Sequence, residues 1–152
     1  MNFDVEQAIR AYLPNILHLS LGTSVNNQPW VSELHFVYDD NLNLYFRSLP
    51  SRRHCQEIVA NPQVAGNIVQ QHGPGEKPLG VYFEGHAEQL HDMQEGDVTY
   101  RLFRERLGVP AEVLNEYQSP EGAQFYKITV SDYYVFDARE SKPAQKYHWS
   151  KS

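Results

Sequence analysis

Trp30-Val31-Ser32-Glu33-Leu34-His35-Phe36-Val37-Tyr38, then Asp39-Asp40-Asn41, then Leu42-Asn43-Leu44-Tyr45-Phe46-Arg47-Ser48 carry most of the information about architecture. Even positions hold Trp30, Leu34, Phe36, Tyr38, Leu42, Leu44 and Phe46; Glu33, His35, Asn43 and Arg47 fall on odd ones. A period of two marks strands buried on one side. Asp39-Asp40-Asn41 reads as a three-residue hairpin loop, with Asn41 suited to the left-handed position such loops need. That loop pairs Tyr38 with Leu42, Glu33 with Arg47 and Ser32 with Ser48. A slip by one residue would mix the two faces and is disfavoured.

Outward from this pair, residues 16–25 read as a strand, and Asn26-Asn27-Gln28 as a turn. Residues 3–13 space Val5, Ala8, Ile9, Tyr12 and Leu13 as a helix that Pro14 stops. Downstream, Ser51 reads as the N-cap of a helix through Ala60, with Cys55, Ile58 and Val59 as its buried stripe. Residues 63–71 and 79–90 are strands, and Gly85 inside the second marks a bulge or a close backbone approach. Residues 97–107 form a helix ended by Gly108, and Pro110 opens a short second one. Residues 124–137 form the last strand. Its apolar parity runs Tyr126, Ile128, Val130, Tyr134 and Phe136, and Asp132 on that parity predicts a bulge. Six mostly antiparallel strands with short connections predict a mainly β (α+β) fold. Its form is a six-stranded antiparallel split β-barrel with flanking helices, as one domain over 1–152. No Gly-rich nucleotide fingerprint follows a strand, which argues against a doubly wound sheet.

The chain has 152 residues, 13 basic and 19 acidic, for a net charge of −6. That balance excludes a general nucleic-acid surface. One cysteine, Cys55, excludes an internal disulfide framework and a cysteine-built metal centre. No apolar run is long enough to cross a membrane, and the start lacks a signal peptide, so a cytoplasmic protein is expected. Yet residues 41–56 contain no acid and carry Arg47, Arg52 and Arg53, leaving −9 for the rest. This basic knot lies where a strand ends and a helix begins. Free N–H groups and the positive dipole end of a helix, joined by two guanidiniums, suit a phosphate dianion. The alternative is a solvated basic helix start paired with Glu57.

The ordered series Gln28-Pro29-Trp30-Val31-Ser32, Leu42-Asn43-Leu44-Tyr45-Phe46-Arg47-Ser48, Ser51-Arg52-Arg53 and Asn61-Pro62-Gln63-Val64-Ala65 resembles the pyridoxamine 5′-phosphate oxidase-like superfamily. The later Gly80-Val81-Tyr82-Phe83-Glu84-Gly85-His86 is similar to the strand before that family's second helical region. The resemblance implies a six-stranded split barrel, usually a homodimer with FMN in each interface groove. By the same resemblance, Ser32, Glu33, Leu34 and His35 match the strand whose backbone lines the flavin ring. Phe46, Arg47 and Ser48 match the strand beside the ribityl chain. Ser51, Arg52 and Arg53 match a Ser-Arg-Lys phosphate grip, with Arg53 in place of lysine. Vitamin B6 oxidation is not implied. Gly80 stands where the true oxidases carry glutamine, and the tail from Lys142 to Trp149 lacks their Arg-x-His motif. In some short members a C-terminal aromatic reaches the partner's flavin, a role open to Trp149 or Tyr147.

The expected activity is that of an FMN oxidoreductase. It takes electrons from a reduced donor such as NAD(P)H and passes them to a small acceptor. No catalytic acid or base is identified, which keeps open a flavin-binding protein without turnover. A split barrel holding haem or a deazaflavin is the further alternative, with His18, His35 and His86 as candidate contacts. A homodimer is expected from the resemblance and from Val31, Val37 and Tyr45 on the odd, outward face of the hairpin. No metal site is expected. His86, Glu88, His91 and Asp92 lack a recurring ligand spacing. Cys55 is read as a small core residue, despite basic neighbours that would activate a thiol.

Overall fold

A computed structural model describes residues 3–137 and 145–151. The amphipathic spacing of the first segment gives helix α1 (Val5–Tyr12), capped by Asp4. Leu13, Pro14 and Asn15 follow as a single 3₁₀ turn. Strands β1 (His18–Val25) and β2 (Gln28–His35) form a hairpin whose two turn residues, Asn26 and Asn27, both have positive φ. That geometry matches the right-handed twist of the strands it joins. A short β3 (Val37–Tyr38), β4 (Leu44–Ser48) and helix α2 (Arg53–Ala60) come next. Strands β5 (Gln63–Val69) and β6 (Leu79–Leu90) are followed by helices α3 (Val98–Leu107) and α4 (Ala111–Leu114). The long β7 (Gln124–Asp137) and β8 (Gln145–Ser150) complete the described chain.

All strand pairs are antiparallel, in the order β2-β1-β5-β6-β7-β4-β3, with β8 beside β7. The two ends of that order are the two halves of one segment. Phe36 breaks it, and the Phe36 amide donates to the Leu17 carbonyl instead of to a strand partner. The segment pairs with β1 before the break and with β4 after it, so the sheet curls into a split barrel of six strands. Strand β8 is an addition to those six, paired along the second half of β7.

This topology corrects the predicted hairpin. Tyr38 faces Leu44, not Leu42, and the loop has five residues, 39–43. Asp39 makes the longer loop favourable. One carboxylate oxygen accepts from the amides of Asn41 and Asn43, and the other accepts from the Tyr45 hydroxyl. Leu42, not Asn41, takes the left-handed conformation. That costs about 1–2 kcal/mol for a branched-chain residue, and the complete burial of Leu42 offsets it. The shift is by two residues, so the even faces still point to the core. Glu33 faces Ser20 on β1 rather than Arg47, and Ser32 faces Leu21 rather than Ser48.

Val37 and Tyr45, on the outer face of the hairpin, are not exposed. They are buried with Met93, Tyr100, Phe103, Leu114 and Phe125 in a second core, beneath the α3–α4 excursion. Only Val31 of the three remains exposed. In α2 the buried residues are His54, Cys55 and Ile58, whereas Val59 is 81% exposed. Both expected sheet irregularities are one feature. Gly85 pairs with Val130 and Glu84 with Asp132, so Ser131 is the extra residue. A Cβ on Gly85 would lie 2.1 Å from the Thr129 carbonyl oxygen, which is why the bend passes through glycine. The extra residue flips the parity of β7. Beyond it Tyr133 and Val135 are buried, not Tyr134 and Phe136.

Candidate functional site

Past Val37 and Tyr45 the segment containing β2 turns away from β4, and the ladder between them stops. Helix α2 begins at this opening. Its buried His54 bridges the gap, with Nδ1 3.3 Å from the Ser32 hydroxyl on β2 and Nε2 2.8 Å from the Ser48 hydroxyl on β4. Ser32 and Ser48 are thus brought together by a shared imidazole, not by strand pairing. Burial, and secondarily the charge of Arg52, hold the His54 pKa below its ordinary value. The ring is neutral at neutral pH, donating to one serine and accepting from the other.

The sign of the resulting pH dependence is fixed. Unfolded His54 takes up a proton below about pH 6.5, while the folded ring resists until a lower pH. Its contribution to stability is complete above about pH 6.5 and shrinks as pH falls through that window. His54→Gln removes this titration. The difference in unfolding free energy between wild type and variant should therefore change as pH falls below about 6.5 and be flat above. Parallel urea titrations across that range check it.

Ser51 is not the helix cap. The cap position is Arg52, and no side chain occupies the N–H groups of the first turn, which also contains no acid. Ser51, Arg52 and Arg53 are all exposed. Among the described residues, the Arg52 guanidinium has no hydrogen-bond or ion-pair partner, while its backbone bonds to Leu49 and Gln56. Arg53 is committed: its Nε lies 2.7 Å from Glu57, and its guanidinium stacks 4.1 Å from the Trp30 ring centre. Glu57 in turn accepts from the Thr23 hydroxyl, and the bonds from Arg53 and Thr23 hold its pKa below the usual range. The helix end therefore fits a phosphate through Arg52 and the bare N–H groups. Arg53 contributes its second guanidinium edge or must release Glu57.

One residue further along each strand from Ser32 and Ser48, Glu33 and Arg47 line a cavity of about 450 Å³, in the size range of small-molecule sites. Glu33, Leu34, His35 and Arg47 line it from the two strands, with Leu17 at one edge. Phe103, Arg106, Leu107 and Val109 line it from the α3 side. Arg47 reaches toward α4, where it donates to the Val113 carbonyl at 3.1 Å and lies 3.9 Å from Glu116. Arg106 donates to the carbonyls of Leu13 and Ile16 and lies over Phe36 and Tyr38. It pins α3 to the barrel mouth.

Glu33, Leu34, His35 and Arg47 thus line one cavity, Ser32 and Ser48 meet at His54, Ser51, Arg52 and Arg53 stand at the start of α2, and two predicted residues lie elsewhere. Phe46 is fully buried and stacks on Tyr126 at 5.0 Å, so its side chain belongs to the core. Trp149 lies on β8, stacked 6.1 Å from Tyr133 and half-buried against its own barrel. Residues 138–144, including Lys142, Pro143 and Ala144 of the tail, lie outside the described residues. Of the three histidines, His18 and His35 meet, with Nε2 atoms 3.0 Å apart, while His86 is on β6 opposite Gln63. The two-residue turn at Asn26-Asn27 carries the signal for this pairing, because it sets residue 18 across from residue 35.

Cys55 is 1% exposed, and burial raises its pKa. Alkylation by iodoacetamide at pH 7.5 should require unfolding and proceed only after denaturant is added. Rapid labelling of the native chain would contradict that placement.

Comparison with known proteins places this geometry. No curated protein matches the sequence. Among solved structures, the fold superposes on a haem-binding protein from Mycobacterium smegmatis with a TM-score of 0.74 at 13% identity, over 99% of this chain and 60% of that one. It superposes on ChuZ from Campylobacter jejuni with a TM-score of 0.78 at 15% identity, over 99% and 61% of the two chains. A candidate pyridoxamine 5′-phosphate oxidase from Listeria innocua gives 0.67 at 21% identity, over 87% and 98%. The chain spans about 60% of the first two proteins, and at these identities the likeness is one of fold. A family model described as pyridoxamine 5′-phosphate oxidase matches residues 5–137, and the chain belongs to that family.

Proposed function

We propose that the chain is an FMN-binding flavoprotein and an oxidoreductase, active as a homodimer. The observation that carries this reading is the uncapped, acid-free start of α2 with a free Arg52 guanidinium, tied through His54 to Ser32 and Ser48, the strand neighbours of the cavity residues Glu33 and Arg47. Arg52 and the first-turn N–H groups bind the phosphate. Arg47 and Ser48 lie beside the ribityl chain, and the backbone of residues 32–34 faces the polar edge of the ring. Phe103, Leu107 and Val109 exclude water from one wall of the cavity. Bound flavin supplies two-electron chemistry, and the protein supplies position and electrostatics. The donor is a reduced nicotinamide and the acceptor a small molecule. Val31 is an exposed apolar residue on β2 that a second copy would cover.

Steady-state oxidation of NADH and NADPH tests the enzymatic part. Turnover above the free-FMN background supports an oxidoreductase. FMN binding without turnover reduces the reading to a flavin carrier or sensor. A second reading, haem or a deazaflavin in the same cavity, is favoured by the His18–His35 pair at its edge. The haem-binding protein of the same fold also supports it. Mass measurement of the extracted ligand separates the three.

A further inference from the structure

His18 and His35 are partners in the register of β1 and β2, and both are exposed. Their rings lie 4.3 Å apart, tilted by 48°, with Nε2 facing Nε2 at 3.0 Å. At that distance one Nε2 donates and the other accepts, so a single lone pair lies between the rings, and moving the donor's proton to Nδ1 frees the second. Two metal–nitrogen bonds of about 2.0–2.1 Å at a tetrahedral angle set their nitrogens about 3.3 Å apart. The pair is therefore within a few tenths of an ångström of a chelating geometry. The hairpin beneath it, closed by a two-residue turn, keeps it there.

We propose that His18 and His35 form a binding site for a divalent late first-row transition-metal ion, exemplified by Zn²⁺, with water completing the coordination. Among the described residues no group of three or more histidine, cysteine or acidic side chains converges on a metal position, so the site has two protein ligands. The ring that donates through Nε2 shifts its proton to Nδ1 through solvent, and both Nε2 lone pairs then face the ion. Glu33 stands one row along the same sheet face, its carboxylate held by the Ser20 hydroxyl at 2.7 Å. It adds negative charge beside the site and an acceptor for a metal-bound water. The guanidiniums of Arg47 and Arg106 line the adjoining cavity and oppose any cation held by charge alone. The site therefore selects ions with intrinsic affinity for imidazole, and rejects Mg²⁺ and Ca²⁺, which require oxygen ligands.

This inference does not depend on the flavin reading, and its test reads metal rather than activity. Zn²⁺ is titrated into the purified full-length protein, scored by competition with a chromogenic chelator and by the shift in thermal midpoint. The expected result is one Zn²⁺ at this site. His18→Ala and His35→Ala should each weaken it by at least about tenfold, Cu²⁺ should bind more tightly than Zn²⁺, and Mg²⁺ should give no midpoint shift. His18→Asn and His35→Asn, which keep a polar side chain on the strand, guard against a fold defect and should show the same loss. Zn²⁺ uptake equal in wild type and these variants would overturn the proposal, marking adventitious binding at other histidines. An equal response to Mg²⁺ would overturn it too.

Discussion

Arg52→Ala should weaken FMN binding by about 10- to 150-fold, the equivalent of roughly 1.5–3 kcal/mol for a hydrogen bond to a charged group. Riboflavin, which lacks the phosphate, should lose little. Arg53→Ala should cost less than Arg52→Ala, because Arg53 is already paired with Glu57 and stacked on Trp30. Arg52→Ala plus Arg53→Ala should exceed either single change, since no guanidinium then remains at the helix end. The residual affinity would come from the bare N–H groups of α2 and the macrodipole, which contribute less than a direct charge pair. Fluorescence titration of both ligands against the four proteins checks this. Equal losses for FMN and riboflavin would remove the phosphate from this end of the helix. A larger loss from Arg53 than from Arg52 would mean that Glu57 releases Arg53 on binding.

Phe46→Ala should destabilise the fold by about 3–5 kcal/mol, the usual cost of emptying a buried phenylalanine site. Phe46 has no exposed surface and stacks almost parallel to Tyr126, at 5.0 Å and 5°. The lost volume would lie beneath β4, next to His54, whose ring centre is 6.0 Å from that of Phe46. Against a domain stability of about 5–15 kcal/mol, the loss is a large share of the total. In a chain of this length it should lower the thermal midpoint by roughly 10 °C. Calorimetry of the ligand-free protein reads this directly. An unchanged midpoint with reduced FMN affinity would make Phe46 a ligand contact instead of a core residue.

The alternation at 30–48 was enough to give the strand faces, and six strands with short connections gave the antiparallel class and the barrel. It was not enough for the register. The register turned on Asp39, whose carboxylate organises a five-residue loop by three hydrogen bonds that no local pattern announces. The same limit applies at Phe36. An alternating run gives no sign that its two halves pair with different strands, yet that break closes the barrel and opens the cavity. The outward parity of Val37 and Tyr45 was read correctly as a face, but that face is covered by α3 and α4, which are distant in sequence. At the site, the basic knot and the helix start were legible from charge and spacing. Which arginine is free was not, because it depends on Glu57 and Trp30 reaching Arg53 in space. His54 was invisible as a bridge, since Ser32 and Ser48 meet only through the fold.

The central claim is that this split barrel holds FMN by its phosphate at the start of α2. The most direct measurement is the absorption spectrum of the purified protein, before and after addition of FMN and removal of the excess. The account predicts a yellow protein with the two visible bands of oxidised flavin, at about one FMN per chain once saturated. A colourless protein that retains no FMN, or one that shows a haem Soret band in its place, would contradict it.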